Sequence, residues 1–271
     1  MNSDIKSEQR FEFGKNWLDY IQQNYGEEVV QTSMNHILSF MGVENLNGNT
    51  FLDIGCGSGL HSVAALQAGA QSVHSFDYDP NSVAATQFVK QQAAMDRDWK
   101  IEQGSVLDSE YMMKLPKFDI VYSWGVLHHT GAVWEALKNA SETVKDGGRF
   151  YIALYAADVQ IDPTPEFWLD IKRRYVSANW FVRRYFDAWY IWRFMMNKNL
   201  KNLPVVFARM RSHKKNRGMS MMTDIRDWLG GWPMEFVYDD EVIKYCERLG
   251  FELKNIKTGE ACSEYLFSKI G

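Results

Sequence analysis

The 271-residue sequence is poor in cysteine and has no long uncharged apolar run. Its three cysteines, Cys56, Cys246 and Cys262, are odd in number and far apart, which argues against a disulfide framework and against a Cys-x-x-Cys metal or redox site. No run approaches the roughly 18 apolar residues of a membrane-spanning helix, and residues 1–13 lack the apolar core of a signal peptide. These absences predict a soluble or at most peripheral cytoplasmic protein without a metal centre.

A strong net charge is also absent, since the formal charge at pH 7 is only -4. The whole chain is therefore not built as a polyanion binder. The charge is nevertheless uneven, because the segment from Glu166 to Arg217 holds 13 Lys and Arg against 3 Asp and Glu. This basic excess is local and no recognisable RNA-binding module accompanies it, so a nucleic acid is the weaker candidate partner.

Short apolar runs alternate with helical patterns from Thr50 to Tyr155 and again from Asp239 to Ser268. Alternation of this kind requires crossover connections between parallel strands. It predicts an α/β fold: a Rossmann-like, doubly wound, mostly parallel seven-stranded sheet with N-terminal helices and a helical insertion after the fifth strand. Strands are predicted at 50–54, 72–76, 100–102, 118–124, 149–155, 251–256 and 264–268, and helices at 60–68, 80–95, 131–144 (capped by Thr130) and 239–249.

The same pattern divides the chain into three predicted parts. Residues 1–49 form an N-terminal helical lid, residues 50–160 and 236–271 the core, and residues 161–235 an insertion rich in aromatic residues and arginine. Because the fifth strand ends at the ligand edge of a parallel sheet, the insertion begins above the site and suits a substrate cap.

Three interpretations of the insertion stay open. Its Trp, Tyr and Arg side chains suit a substrate that is anionic or aromatic. Alternatively, its aromatic residues pack on the core and its arginines are solvated. As a third interpretation, basic helices with aromatic residues bind anionic lipid, which predicts peripheral membrane contact.

Alternating glycines follow the first predicted strand. Gly55, Gly57 and Gly59 have no Cβ, so a flat ligand can lie against the backbone of this turn. Asp77 follows Gly55 by 22 residues at the end of the next strand, where a carboxylate accepts hydrogen bonds from both hydroxyls of a ribose. The dinucleotide fingerprint needs a sixth-position glycine, which is Leu60 here, so the pattern favours a different nucleoside.

Asp53, inside the first strand, adds a further constraint. Its carboxylate precedes the glycine turn and suits a ligand with an ammonium or sulfonium end. Cys56 is interpreted as a small turn residue, because no partner for a reactive thiol is indicated by the spacing.

Short motifs follow one another along the chain at residues 52–59, 76–80, 104–108, 118–129 and 147–150. In this order they resemble the motifs of the class I S-adenosylmethionine-dependent methyltransferases. The resemblance implies S-adenosylmethionine as the cofactor, with Asp53 and the turn of Gly55, Cys56, Gly57 and Gly59 at its methionine part and Asp77 at its ribose. It also implies that Tyr78, Ser105 and Val106 border the adenine and that Ser123 and Trp124 flank the methyl group. Ser105 stands where many relatives carry an acidic residue.

Three shorter stretches resemble more specific groups. Residues 126–129 are similar to small-molecule methyltransferases, and the terminal motifs, residues 13–17 and 227–235, resemble a bacterial subfamily associated with small-molecule or glycan modification. The resemblance therefore implies methyl transfer to a small-molecule acceptor, with oxygen as the favoured atom. Methylation at N, S or C, a lipid-linked substrate, and a nucleoside-binding or scaffolding protein without turnover are the alternatives.

His128 and His129 are the predicted catalytic residues. They follow the fourth strand at the ligand edge of the sheet, and either imidazole can act as a general base near neutral pH. In the alternative interpretation, one of them caps the following helix or lines the cofactor pocket. Glu260 and Tyr265, near the last two strands, are further candidates for the acceptor side.

Overall fold

The computed structural model describes residues 13–94, 96–217, 221–259 and 261–271, with the backbone alone for residues 211–217. Residues 1–12 of the predicted lid, Met95 at a predicted helix end, and Glu260 lie outside the described residues.

One seven-stranded sheet forms the centre of the fold. Its strands are β1 (Thr50–Ile54), β2 (Ser72–Asp77), β3 (Asp98–Gln103), β4 (Phe118–Trp124), β5 (Val144–Tyr155), β6 (Phe251–Thr258) and β7 (Cys262–Lys269). Their spatial order is β3-β2-β1-β4-β5-β7-β6. The first five strands pair in parallel, whereas β7 is antiparallel to both of its neighbours. The predicted fold class is therefore confirmed.

Alternating side chains of the strands build a core on each face of the sheet. Phe51 belongs to the cluster on one face and the adjacent Leu52 to the cluster on the other. Both are fully buried, so the apolar run of β1 reflects burial on two sides rather than on one. The core helices are α3 (Leu60–Gln67), α4 (Pro80–Ala93), α5 (Ser109–Lys114), α6 (Val133–Ser141) and α11 (Asp239–Arg248).

Two helices precede the sheet. They are α1 (Phe13–Asn24) and α2 (Glu27–Met41), and α1 packs on α4 while α2 packs on α3. Ile21 of α1 and Ile37 of α2 are buried in the same core cluster as β1. These contacts anchor both helices to one face of the sheet, and they bring the start of α1 to its ligand edge.

The insertion after β5 has an apolar cluster of its own. Its helices are α7 (Pro165–Ser177), α8 (Trp180–Tyr190), α9 (Leu203–Arg217) and α10 (Met221–Gly230). Trp168 and Tyr175 of α7 pack with Leu229 of α10 in this cluster. Among the described residues, no helix is both long and apolar enough to cross a bilayer.

Several local expectations differ from the structure. Strand β5 begins at Val144 rather than at residue 149, so it includes the end of the helix predicted at 131–144. Helix α5 was not predicted, because its six residues are too few for a periodic pattern; Asp108 caps it by accepting from Tyr111 N at 3.0 Å. Thr130 does not cap α6, which begins only at Val133. The Thr130 hydroxyl instead donates to Leu127 O at 2.7 Å and closes a 3-10 turn.

Candidate active site

The glycine turn after β1 approaches its neighbours closely. Gly55 N donates to Phe76 O of β2 at 2.8 Å. Gly55, Gly57 and Gly59 have φ angles of +75°, +52° and +79°, a region that residues with a Cβ rarely adopt. A Cβ on Gly55 would lie 2.4 Å from Val126 Cγ1. The turn and the segment after β4 are therefore too close for a side chain between them.

Replacing Gly55 by alanine should destabilise the fold more than the same change at Gly48. Both glycines have φ +75°, but a Cβ on Gly48 would meet nothing within 4 Å. The backbone strain is thus shared, and the clash with Val126 is specific to Gly55. We expect Gly55→Ala to lower the free energy of unfolding by about 1–3 kcal/mol more than Gly48→Ala. Urea denaturation of the two variants measures this difference, and equal losses would contradict the steric argument.

Asp53 lies beneath the turn and is only 2% exposed. Ser62 Oγ of α3 donates to Asp53 Oδ2 at 2.5 Å and contacts Ser75 Oγ at 2.7 Å. Burial raises the pKa of Asp53 to about 7, although the hydrogen bond from Ser62 lowers it. A carboxylate whose charge is costly in the protein interior gains most from a cationic ligand group.

Asp77 ends β2 with its carboxylate turned to the backbone of both flanking loops. Its Oδ2 accepts from Gly57 N at 3.0 Å and its Oδ1 from Asp79 N at 2.9 Å. Burial raises the pKa of Asp77 to about 6, and these two hydrogen bonds lower it. Since each carboxylate oxygen has two acceptor sites, both oxygens keep capacity for the hydroxyls of a ribose.

Residues predicted at the adenine lie at the ends of β2 and β3. Tyr78 is 50% exposed, and its carbonyl accepts from Gln103 Nε2 at 3.0 Å. Val106 is buried, with its carbonyl accepting from Asn139 Nδ2 at 2.9 Å. Ser105 Oγ accepts a backbone N–H two residues further on, at 3.2 Å. The Ser105 hydroxyl thus supports its own loop.

Two other predicted cofactor residues direct their side chains into the fold. Cys56 Sγ accepts from Thr86 Oγ1 at 3.2 Å, and burial raises the pKa of this thiol well above its usual value. Ser123 is fully buried and donates to Ile54 O at 3.0 Å, which ties the end of β4 to that of β1. Both residues can therefore offer a ligand only backbone groups.

Trp124 is 40% exposed and belongs to a hydrogen-bonded cluster. Its indole hydrogen-bonds to Glu264, which also accepts from Tyr151 OH and from His36 Nε2, the latter at 2.8 Å. Although burial alone would raise it, these hydrogen bonds hold the pKa of Glu264 below its usual value. A buried carboxylate from β7 thus positions the Trp124 ring.

Helix α1 covers the glycine turn. Gly14 N donates to Asp79 Oδ2 at 2.9 Å, and a Cβ on Gly14 would lie 2.5 Å from that oxygen. Only glycine allows this approach. Three residues later, Trp17 Nε1 lies 3.6 Å from the position that a Cβ on Gly57 would take. The Trp17 indole therefore stands directly over the turn.

His128 and His129 have different hydrogen-bonding roles. His128 Nδ1 accepts from Tyr155 N at 3.3 Å, so the neutral ring carries its proton on the buried Nε2. His129 Nδ1 donates to Pro233 O at 2.8 Å, which leaves a lone pair on Nε2. Burial lowers the pKa of His129 to about 4 and that of His128 well below its usual value. Both rings are neutral at pH 7, and only His129 Nε2 can accept a proton.

The two terminal motifs meet beside His129. Asn16 Nδ2 donates to Asp227 Oδ1 at 2.5 Å, and the rings of Phe13 and His129 lie 5.1 Å apart. Burial raises the pKa of Asp227 to about 7, although the hydrogen bond from Asn16 lowers it. Glu235 N donates to the carbonyl of His128, the residue before His129, at 2.8 Å. Segments separated by about 200 residues of chain thus build one wall.

Lys172 of α7 closes this wall from the insertion. It is 1% exposed, donates to Trp228 O, and its Nζ lies 4.1 Å from the centre of the Trp228 ring. Burial lowers the pKa of Lys172 to about 7. The Tyr155 ring lies 5.7 Å from that of Trp228 and 4.4 Å from that of His128. The insertion therefore packs over the end of β5, beside both histidines.

Several of these residues were not predicted as part of the site. Only those in the terminal motifs carried a sequence signal; the others reach the site through tertiary contacts. Tyr265, a further candidate for the acceptor side, is fully buried in the core and donates to Asp239 Oδ1 at 2.6 Å. The additional residues are Trp17, Asn16, Tyr155, Lys172, Asp227, Trp228 and Glu264.

The sheet order, the glycine turn and the two acidic residues along β1 and β2 define a nucleoside-binding enzyme of the Rossmann-like methyltransferase type. Residues 27–251 of the chain match the sequence model of a protein family that is described as a methyltransferase domain. The chain belongs to this family. The predicted class, a class I S-adenosylmethionine-dependent methyltransferase, is thereby confirmed, as is S-adenosylmethionine as the cofactor of that class.

Individual proteins resemble the chain more weakly. A tRNA U34 carboxymethyltransferase from Idiomarina loihiensis is 32% identical over 111 residues, 41% of this chain and 34% of that protein. The chain thus spans about a third of the length of this curated relative. The magnesium protoporphyrin IX methyltransferase of Synechocystis PCC 6803, solved with S-adenosylmethionine bound, is 13% identical with a TM-score of 0.57, covering 99% of this chain and 100% of that one. An O-methyltransferase family protein from Burkholderia thailandensis is 13% identical with a TM-score of 0.56, covering 96% of this chain and 59% of that one.

Proposed function

We propose that this protein transfers a methyl group from S-adenosylmethionine to an oxygen of a small-molecule acceptor. The observation that carries the proposal is the enclosure of His129: α1, α10 and the buried Lys172 of α7 surround its Nε2, the nitrogen of the His128–His129 pair that can accept a proton. A site walled in this way suits a small acceptor better than a polymer. In this proposal, residues 161–235 act as the substrate cap and residues 1–49 as the lid.

The residues present fit the cofactor. The glycine turn offers backbone that is bare of side chains at Gly55, Gly57 and Gly59, and Asp53 offers a carboxylate whose charge a cation would stabilise. When bound, S-adenosylmethionine supplies an electrophilic methyl group on a sulfonium. Asp53 and the turn would hold the methionine part and Asp77 the ribose. Tyr78 and the Ser105–Val106 backbone would border the adenine, and Trp124, oriented by Glu264, would flank the methyl group.

On the acceptor side, each group has a distinct role. His129 Nε2 takes the proton of the acceptor hydroxyl, while Pro233 O fixes the tautomer through Nδ1. His128 instead offers a buried Nε2–H donor, and Lys172 offers an amine that is cationic below its pKa of about 7 to an anionic part of the acceptor. Trp17 and the insertion exclude water from the site. The enclosed site also holds the nucleophile and the methyl group in line. The three free thiols agree with a cytoplasmic location.

Binding of S-adenosylmethionine should tighten about tenfold as the pH rises from about 6 to about 8. Only the ionised Asp53 attracts the cation, and its pKa of about 7 means that the attraction is lost as the pH falls through this value. Isothermal titration calorimetry across this range measures the effect. Asp53→Asn should leave only the shallower dependence that Asp77 contributes through its pKa of about 6. Asp98→Asn, at an exposed position of the edge strand β3, should keep the wild-type profile. A steep profile in Asp53→Asn would assign the effect to another group.

The acceptor itself can be found with labelled methyl donor. A cell extract is incubated with the protein and S-adenosylmethionine carrying an isotopic methyl group, and then separated into small-molecule, lipid and RNA fractions. We expect the label in a small molecule, bound to oxygen. Label on nitrogen, sulfur or carbon would revise the atom, and label in the lipid fraction would revise the acceptor class.

Transfer to tRNA is the second candidate. It is favoured by the name of the Idiomarina loihiensis relative, but the matched stretch covers 41% of this chain. Methyl or carboxymethyl label recovered in the RNA fraction, with none in the small-molecule fraction, would replace the proposed acceptor with tRNA.

A further inference from the structure

Helix α8 of the insertion has a buried carboxylate on its inner side, beside partly buried aromatic residues, and exposed aromatic residues on its outer side. The structure describes every residue of this helix, and Asp187 is the one that is buried. Its carboxylate accepts from Tyr175 OH at 3.0 Å and pairs with Arg184 and Arg226 at 2.9 and 3.1 Å. These contacts anchor α8 to α7 and α10 through a charged network and fix which face of the helix points outward.

The outward face carries large aromatic side chains. Phe181 is 76% exposed, Tyr185 67% and Trp192, in the helical turn that continues α8, 38%. With the exposed Ala188, they recur at intervals of four, three and four residues, which places them on one side of a helix. We call these four residues the outer stripe. Trp180, 64% exposed and 4.9 Å from the Phe181 ring, extends it.

The charge of the surrounding segment is strongly positive. Residues 166–210 hold 9 Lys and Arg against 3 Asp and Glu, and one of those three acids is the buried Asp187. Lys198 and Lys201, which follow the outer stripe in the chain, are exposed. Exposed Trp and Tyr beside exposed cations match the interface of an anionic bilayer, where aromatic rings enter the headgroup layer and lysines contact the phosphates.

We propose that the outer stripe docks this protein onto the surface of an anionic lipid membrane. The stripe enters the interface without spanning it, and the Asp187 network holds α8 parallel to the surface. The insertion thereby combines a membrane contact on its outer side with the candidate acceptor wall on its inner side. This inference concerns binding alone and does not depend on the identity of the methyl acceptor.

Vesicle flotation tests the proposal with the full chain. Phosphatidylcholine vesicles are compared with vesicles of equal parts phosphatidylcholine and phosphatidylglycerol, at low and high salt. We expect binding to the anionic vesicles that weakens with salt. The triple variant Phe181→Ser/Tyr185→Ser/Trp192→Ser should bind about tenfold more weakly or worse, because the apolar area entering the interface is lost.

The matched control removes exposed apolar groups elsewhere. Met113 of α5 is 71% exposed and Ile270 at the C-terminal end is 61% exposed, so Met113→Ser/Ile270→Ser should float like the wild-type chain. Urea denaturation and S-adenosylmethionine calorimetry verify that both variants are folded. Failure of the wild-type chain to float, or equal flotation of the triple variant, overturns the proposal. Two other results also overturn it when the wild-type chain does not bind vesicles. These are dimerisation that depends on protein concentration, or RNA binding, if either is lost in the triple variant.

Discussion

Replacing Asp77 by alanine is expected to weaken S-adenosylmethionine binding by more than about tenfold. The substitution removes both carboxylate oxygens that can accept from the ribose hydroxyls, and it leaves Gly57 N and Asp79 N without their acceptor. The expected loss therefore has a direct part, in the ribose contacts, and an indirect part, in the shape of the glycine turn. Isothermal titration calorimetry at fixed pH and salt measures their sum.

A cofactor analogue without ribose hydroxyls separates the two parts. If Asp77 binds the ribose, Asp77→Ala should lose less affinity for this analogue than for S-adenosylmethionine, because only the indirect loss through the turn remains. Asp98→Ala is the matched control, since Asp98 is exposed on the edge strand β3 and its loss should leave the affinity unchanged. An unaltered affinity of Asp77→Ala for S-adenosylmethionine would remove Asp77 from the ribose site. An equal loss for the analogue would assign the whole effect to the turn.

The second large effect is expected at His129. His129→Gln should slow methyl transfer by about 100-fold or more, the usual contribution of a general base, while calorimetry shows unchanged cofactor affinity. The glutamine amide can still donate to Pro233 O, but it cannot take a proton at the position of Nε2. The rate is measured as initial incorporation of labelled methyl into the acceptor fraction of a cell extract, at saturating donor. His74→Gln, in β2 and paired with Glu102 at 2.9 Å, is the control.

The pH profile distinguishes His129 from Asp227 as the base. Burial lowers the pKa of His129 to about 4 and raises that of Asp227 to about 7. With His129 as the base, the rate at saturating donor stays flat above about pH 5, because the ring is already neutral. With Asp227 as the base, the rate falls as the pH drops through 7, and Asp227→Asn abolishes transfer. A His129→Gln variant of normal rate would exclude deprotonation by this imidazole.

The cofactor half of the protein could be predicted from short stretches of sequence. Strands β1 and β4 have the predicted bounds, and the turn from Gly55 to Gly59 joins β1 to α3 as expected. These features depend on neighbours along the chain: an apolar run buried on both faces, glycines at positive φ, and an acidic residue where the next strand ends. Their pattern remains visible without the tertiary structure.

Helix α6 illustrates where such reasoning ends. Its first residue, Val133, donates its N–H to Glu235 Oε2 at 2.9 Å. This carboxylate follows the insertion and lies about 100 positions away in the sequence, so no local signal could identify the cap. Thr130, the residue with the expected chemistry, is used by the preceding turn instead. Residue type thus indicates a possible cap, but the hydrogen-bond acceptor that reaches the helix from a distant segment determines where the helix begins.

The sequence by itself determined the class of this protein: the order of strands and helices, the glycine turn, and Asp53 and Asp77, because each is specified by residues close together in the chain. Only the tertiary structure decided how the candidate acceptor side is built. It distinguished the proton-accepting His129 from the proton-donating His128, and it brought Asn16, Asp227 and Lys172 to the same wall. It also turned Phe181 and Tyr185 of α8 outward, whereas other aromatic residues of this helix pack inward. The reason is physical: hydrogen-bond partners, burial and the facing of an aromatic helix depend on contacts between distant segments, which composition and spacing do not encode.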